Sequence, residues 1–162
     1  MMKTQKNNKI LISACLLGSK VRYDGKDNLI DSPLIQRLRD EGRLVPVCPE
    51  IEGGLSTPRA PAEIQDKFPL HITNIDDEDV TPQFLAGAEK TLEIAKREGC
   101  CCALMKSRSP SCGNHEVYDG QFNGTIKPGS GATADELMRS GIPVYNERQL
   151  DQLTEFMALQ DH

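Results

Sequence analysis

Three cysteines stand where an apolar run stops. Cys15 follows Ile10-Leu11-Ile12-Ser13-Ala14, Cys48 follows Leu44-Val45-Pro46-Val47, and Cys112 lies in the turn after Cys102-Ala103-Leu104-Met105. That turn, Lys106-Ser107-Arg108-Ser109-Pro110-Ser111-Cys112-Gly113, crowds hydroxyls, cations and a thiol onto one irregular stretch, because Pro110 ends any helix or ladder. Thiols so placed can bind a metal, hold an iron–sulfur cluster or react as nucleophiles. Structural zinc usually takes four ligands with paired Cys-x-x-Cys spacing, which these three lack. A 4Fe-4S cluster on three thiolates leaves one iron open as a Lewis acid, suited to a sulfur-bearing substrate. Spacing alone leaves iron–sulfur, zinc and bare-thiol chemistry open.

Composition narrows the setting. A chain of 162 residues with 38% hydrophobic and 27% charged residues describes one ordinary globular domain with a full core. Its net charge of −5 argues against nonspecific nucleic-acid binding, which needs a basic face, but permits a small nucleobase ligand. No apolar stretch approaches the roughly 20 residues of a membrane span. The polar, basic start and the short apolar run after it do not make a signal peptide, so the expected location is the cytoplasm. Disulfides are disfavoured there, and the run Cys100-Cys101-Cys102 reads as small buried hydrophobes entering a strand.

The elements that must position the three thiols alternate strand with helix. Residues 1–8 read as a flexible leader and 9–162 as a single domain. A strand over Lys9–Cys15 leads through a polar loop, with a turn at Asp24-Gly25, to a helix capped by Ser32, opened by Pro33 and stopped by Gly42. A second strand over Leu44–Cys48 follows. From Pro49 to Thr81 the pattern fails among Gly and Pro, with Glu50, Glu52, Arg59 and Glu63 gathered beside Cys48 and an acidic run further on. Thr81-Pro82 opens a long helix whose stripe is Phe84, Leu85, Ala88, Leu92 and Ala95, ending at Gly99. A third strand over Cys100–Met105 precedes the central turn, and a small hairpin is expected within Val117–Phe122. Thr133-Ala134-Asp135-Glu136 reads as a capping box for a helix ending at Gly141. Gly129-Ser130-Gly131 before it reads as a helix entry rather than an anion site. Ile142–Tyr145 is expected as an edge strand, and Asn146 as the cap of a last helix bearing Leu150, Leu153, Phe156 and Met157. The sum is an α/β chain: a single-domain three-layer α/β sandwich, Rossmann-like, with a mainly parallel sheet of about four strands and long loops at its carboxyl edge, where ligands bind.

Several blocks also match a known signature. Ile12-Ser13-Ala14-Cys15-Leu16-Leu17-Gly18, Val21-Arg22-Tyr23-Asp24-Gly25, Val47-Cys48-Pro49-Glu50, Gly53-Gly54-Leu55, Pro58-Arg59-Ala60-Pro61-Ala62-Glu63 and Ser109-Pro110-Ser111-Cys112-Gly113 resemble the thiouracil desulfidase family, formerly a domain of unknown function. Tyr118-Asp119-Gly120 and Gly141-Ile142-Pro143-Val144 fit as well, so the likeness runs from about Ile10 to Glu147. The resemblance implies a 4Fe-4S cluster held by Cys15, Cys48 and Cys112, with one open iron. It implies non-redox removal of sulfur from 2-thiouracil, or a related thiobase or thionucleoside, giving uracil and hydrogen sulfide. Within that chemistry Glu50 is the expected base and Ser109 the expected assisting hydroxyl, ahead of Ser107 and Ser111. Arg22, Asp24, Arg59 and Ser111 are expected contacts of a thiolated pyrimidine. The competing readings are a sulfur or metal carrier using the same thiols without turnover, and a zinc-stabilised module.

Overall fold

A computed structural model describes residues 8–161. Apart from Asn8, the expected leader lies outside the described residues.

The apolar runs form a four-stranded parallel sheet in the order β2 (Leu44–Val47), β1 (Lys9–Ser13), β5 (Cys100–Met105) and β8 (Val144–Asn146). Strands buried on both faces read as nearly unbroken hydrophobic runs, which is why β1 and β5 were legible. Helices α1 (Pro33–Asp40) and α5 (Leu150–Gln160) cover one face, where Ile35, Leu38, Leu153 and Met157 meet Ile10, Ile12 and Leu104. Helices α3 (Thr81–Glu98) and α4 (Ala132–Arg139) cover the other, where Ala95, Ala134 and Leu137 meet Leu11, Ala103 and Met105. The chain leaves β1 toward β2 by way of α1, then returns across the sheet to β5. The crevice between β1 and β5 is therefore a switch point of the kind where open α/β sheets bind ligands. Among the described residues no helix is long and apolar enough to cross a membrane.

Several local expectations need correction. Strand β1 stops at Ser13, and Cys15 lies on the 3-10 turn Ala14–Leu17, closed by Gly18 at φ 94. Strand β2 likewise stops at Val47, so that Cys48 caps α2 (Pro49–Glu52). The stretch from Pro49 to Thr81 is not structureless, since it contains α2 and the antiparallel pair β3 (Ala62–Lys67) and β4 (Leu70–Asn74). The small hairpin is wider than expected: β6 (Glu116–Tyr118) pairs with β7 (Ile126–Pro128) across a turn that includes Phe122. Thr133 is no cap. It lies inside α4, fully buried, and the helix starts at Ala132. The fourth strand begins at Val144 rather than Ile142. Asn146 shapes the turn before α5, its Oδ1 accepting the Arg148 N–H at 2.8 Å, while the helix begins only at Leu150.

The two hairpins share a small core of Ile64, Ile72, Val80, Phe84 and Val117, set against α3. Short helix α2 crosses α3 where two glycines touch: a Cβ on Gly53 would lie 1.9 Å from the Gln83 carbonyl oxygen, and one on Gly87 2.0 Å from that of Pro49. No side chain fits there. The crossing fixes α2, and with it Cys48 and Glu50, over the edge of the sheet.

Candidate functional site

A cavity of about 450 Å³ opens at the carboxyl edge of the sheet. Its walls include Cys15, Cys48, Cys112, Glu50, Ser109, Arg22 and Arg59. Ser111 and Asp24 do not line it. Ser111 is 1% exposed and lies behind the wall, whereas Asp24 is exposed and pairs with Arg22 at 3.0 Å. The run Cys100–Cys102 lies at the amino end of β5, away from the cavity.

Each thiol is held by a different local device. Cys15 accepts the Asn28 side-chain N–H at 3.4 Å, and Arg22 in turn donates to Asn28 Oδ1 at 3.1 Å. Cys48, at the start of α2, is aimed by the helix it caps. Cys112 rides on the central turn, whose carbonyls are tied to the amino end of α4. Ala132 N–H donates to the Pro110 oxygen at 2.9 Å, and Thr133 and Ala134 N–H donate to that of Ser111 at 2.9 and 3.0 Å. The helix terminus is thus satisfied by the turn itself. Gly131 makes the approach possible: its φ of −73 is ordinary, but a Cβ there would lie 2.6 Å from the Ser111 carbonyl carbon.

The carboxylate and hydroxyls form one chain. Glu50 Oε1 accepts from Arg59 Nε at 3.4 Å, and Oε2 accepts from Ser111 Oγ at 3.1 Å. Ser111 Oγ also lies 3.4 Å from Cys112 Sγ and 2.9 Å from Ser109 Oγ. Ser109 Oγ accepts the N–H groups of Ser111 and Cys112 at 3.1 and 3.0 Å, so it braces the turn while facing the cavity. Arg59 is anchored by the Val21 carbonyl and by Thr57 Oγ1, each at 3.0 Å.

Two further groups, Lys106 with Glu147 and Glu63, were given no role from the sequence. Lys106 lines the cavity and pairs with Glu147 Oε2 at 3.0 Å, while Ser107 donates to Glu147 through its N–H and its hydroxyl at 2.8 and 2.7 Å. Burial pushes the Glu147 carboxyl up, but these donors outweigh it and hold it below the usual range. Glu63 lines the cavity beside Phe122 and Tyr118. Only the density of charged and hydroxyl residues on the turn pointed toward Lys106, and Glu147 lies forty residues away.

Burial pushes all three cavity thiols above their ordinary value, that of Cys112 to about 12. Such thiols are poor free nucleophiles. A bound cationic centre reverses that balance, because coordination removes the thiol proton outright. Among the described residues no three Cys, His, Asp or Glu side chains converge closely enough to chelate a single ion. The three cysteines line one cavity, and thiolates are soft donors of the kind that bind soft metals and iron–sulfur clusters.

A sequence profile described as 2-thiouracil desulfurase matches residues 10–149. The chain belongs to that family. A 4Fe-4S-dependent thiouracil desulfidase, TudS, is 44% identical and superposes with a TM-score of 0.90 over 94% of this chain and 99% of its own. The uncharacterized protein YbbK of Bacillus subtilis (strain 168) is 40% identical over 151 residues, which make up 89% of this chain and 99% of that protein. The family thus spans the whole sheet and every element that carries a cavity residue.

Proposed function

We propose that this protein is an iron–sulfur-dependent desulfidase. It removes sulfur from 2-thiouracil, or a related thiobase or thionucleoside, giving uracil and hydrogen sulfide with no net redox change. Cys15, Cys48 and Cys112 would hold a 4Fe-4S cluster with one open iron. The observation that carries the reading is the meeting of three strand-end thiols and Glu50 in one cavity, in a chain 44% identical to a desulfidase named for that cluster.

When bound, the cluster would supply a Lewis-acidic iron that polarises the thione and eases departure of its sulfur. The chain's own groups do the rest. Glu50, oriented by Arg59 and Ser111, takes a proton from water as its oxygen bonds to the carbon. The C–S bond breaks, and one water has been exchanged for one hydrogen sulfide. Ser109 faces the same space and can hold the water or return a proton. Arg22, braced by Asn28 and Asp24, offers donors to the edge of a planar base. Asp24 and Ser111 act through their neighbours. The six free thiols fit a reducing cytoplasm, the setting we assign. The acidic chain is not expected to bind nucleic acid nonspecifically.

The test is anaerobic purification or reconstitution, followed by turnover. The expected result is brown protein absorbing at roughly 400 nm that converts 2-thiouracil to equal amounts of uracil and hydrogen sulfide. Brown protein that binds thiobases without turnover would make it a carrier. Colourless protein carrying zinc would sink the proposal.

A further inference from the structure

Glu63 ends the motif Pro58-Arg59-Ala60-Pro61-Ala62-Glu63, and the mechanism above uses Arg59 but not the glutamate. It lies on β3, only 9% exposed, and lines the cavity. Its Oε1 accepts two backbone N–H groups, from Gly120 at 2.9 Å and Phe122 at 3.1 Å. Among the described residues no cationic side chain pairs with it, although a carboxylate this withdrawn from water normally needs a partner. Its Oε2 accepts from no protein group among them either. That atom is not sealed inside, because the buried unpartnered side-chain atoms are Gln83 Oε1, Thr91 Oγ1 and Thr133 Oγ1. Glu63 lines the cavity, and this oxygen is its one carboxylate acceptor without a protein partner among the described residues.

The bonds through Oε1 also shape the wall. Phe122 has φ 55, a left-handed conformation uncommon for an aromatic residue, and its N–H is held by Glu63. The turn is seated on β3, where a Cβ on Gly120 would lie 3.0 Å from the Ile64 carbonyl oxygen. One carboxylate thus fixes an aromatic wall with one oxygen and leaves the other without a protein partner among the described residues. By contrast, both oxygens of Glu50 are engaged, by Arg59 and Ser111.

We propose that Glu63 Oε2 accepts a ring N–H adjacent to the thione carbon, making Glu63 the residue that selects cyclic thioamides with an unsubstituted nitrogen beside the sulfur. This rests on the desulfidase reading. An ionised carboxylate offers acceptors only, so it matches an N–H edge and repels a carbonyl or thione edge. An N-methyl group removes the donor and collides with the oxygen.

The experiment pairs Glu63→Gln with a methyl series on the cluster-loaded enzyme. Calorimetry measures binding of uracil, 1-methyluracil and 3-methyluracil; turnover uses the corresponding 2-thiouracils. Glutamine keeps an oxygen for Gly120 and Phe122 but turns a donor toward the ligand. In the wild type, one of the two N-methyl compounds should bind about 10- to 100-fold more weakly than its parent, the range for one charge-assisted hydrogen bond. Glu63→Gln should weaken the parent by a similar factor and leave that methyl compound unchanged. KM should carry the loss, with kcat nearly constant. Equal weakening of all three ligands would reduce Glu63 to a support for the turn and overturn the proposal. A wild type indifferent to both methyl groups would overturn it too, without recourse to any variant. Selective binding of uracil with no desulfuration would instead defeat the reaction while leaving the acceptor in place.

Discussion

Two groups of three cysteines lie at opposite ends of the same sheet. Cys15, Cys48 and Cys112 come from three strand exits and share a cavity with Glu50 and Lys106. Cys100, Cys101 and Cys102 are consecutive at the entry to β5. There the pairing slips: Lys9 sits opposite Cys100 and Ile10 opposite Cys102, leaving Cys101 as a bulge. The bulge turns Cys101 and Cys102 to the same face, where their sulfurs pack 3.8 and 3.9 Å from Met157 Sδ. Nearby Arg43, almost buried, clamps α5 by donating to Asp161 at 2.8 Å and to the Asn8 carbonyl at 2.9 Å. One end gathers charged and hydroxyl groups around its thiols, and the other packs its thiols against the core. Thiol chemistry depends on which other groups the backbone brings to the sulfur.

The sharpest test of this contrast exchanges one sulfur at each end. Cys112→Ser replaces a soft donor with a hard hydroxyl and should abolish both the brown colour and turnover. Cys102→Ala should keep colour and rate and cost about 1–2 kcal/mol of stability through lost packing, read by denaturant unfolding. If Cys102→Ala is colourless, the assignment of the two ends is wrong.

Gly131→Ala comes next. It touches no thiol, yet its Cβ must displace the Ser111 backbone, so iron content per chain should fall sharply while the fold persists by circular dichroism. Full iron loading would mean that the tie between α4 and the turn does not set the position of Cys112. Glu50→Gln should stay brown and lose about 10²–10⁴ in kcat, as removal of a general base does. Ser109→Ala should lose about 10-fold; a loss as large as that of Glu50→Gln would make the hydroxyl a partner in proton transfer.

The smallest effect belongs to the core-packed end. Burial pushes the Asp161 carboxyl up, but its bonds to Arg43 prevail and its folded-state value lies below the ordinary one. Such a group adds stability above its unfolded value of about 3.9, and the gain fades as pH falls through the lower folded value. Asp161→Asn should cost about 1 kcal/mol at neutral pH and nothing in strong acid, with colour unchanged. A deficit that persists at pH 2 would point to packing rather than charge.

Much of this was readable along the chain. Short apolar runs such as Ile10-Leu11-Ile12 and Cys102-Ala103-Leu104-Met105 read as strands buried on both faces, and Ser32, Pro33 and Gly99 mark helix ends through local backbone chemistry. The pair β3 and β4 was hidden because its inward side chains include polar Glu63 and Thr73, and Ile64 and Ile72 alone make no alternation. Thr133-Ala134-Asp135-Glu136 misled because the helix starts earlier, at Ala132, where the first N–H groups, those of Ala132, Thr133 and Ala134, are taken by the carbonyls of Pro110 and Ser111, some twenty residues earlier.

The sequence by itself determined the order of the four sheet strands and of the helices α1, α3, α4 and α5, the family, and that three thiols leave the sheet at strand ends. Those facts rest on periodicity and on motifs that are local in the chain. The tertiary structure alone decided that Ser111 links Glu50 to Cys112, that Gly53 and Gly87 set the height of α2, and that Glu63 lines the cavity while its Oε1 holds the Gly120 and Phe122 N–H groups. Each of these depends on contacts between residues far apart in the chain, and a hydrogen bond or a glycine contact is fixed within tenths of an ångström. No local pattern of residues encodes distances of that kind, because only the packed sheet and helices bring the partners together.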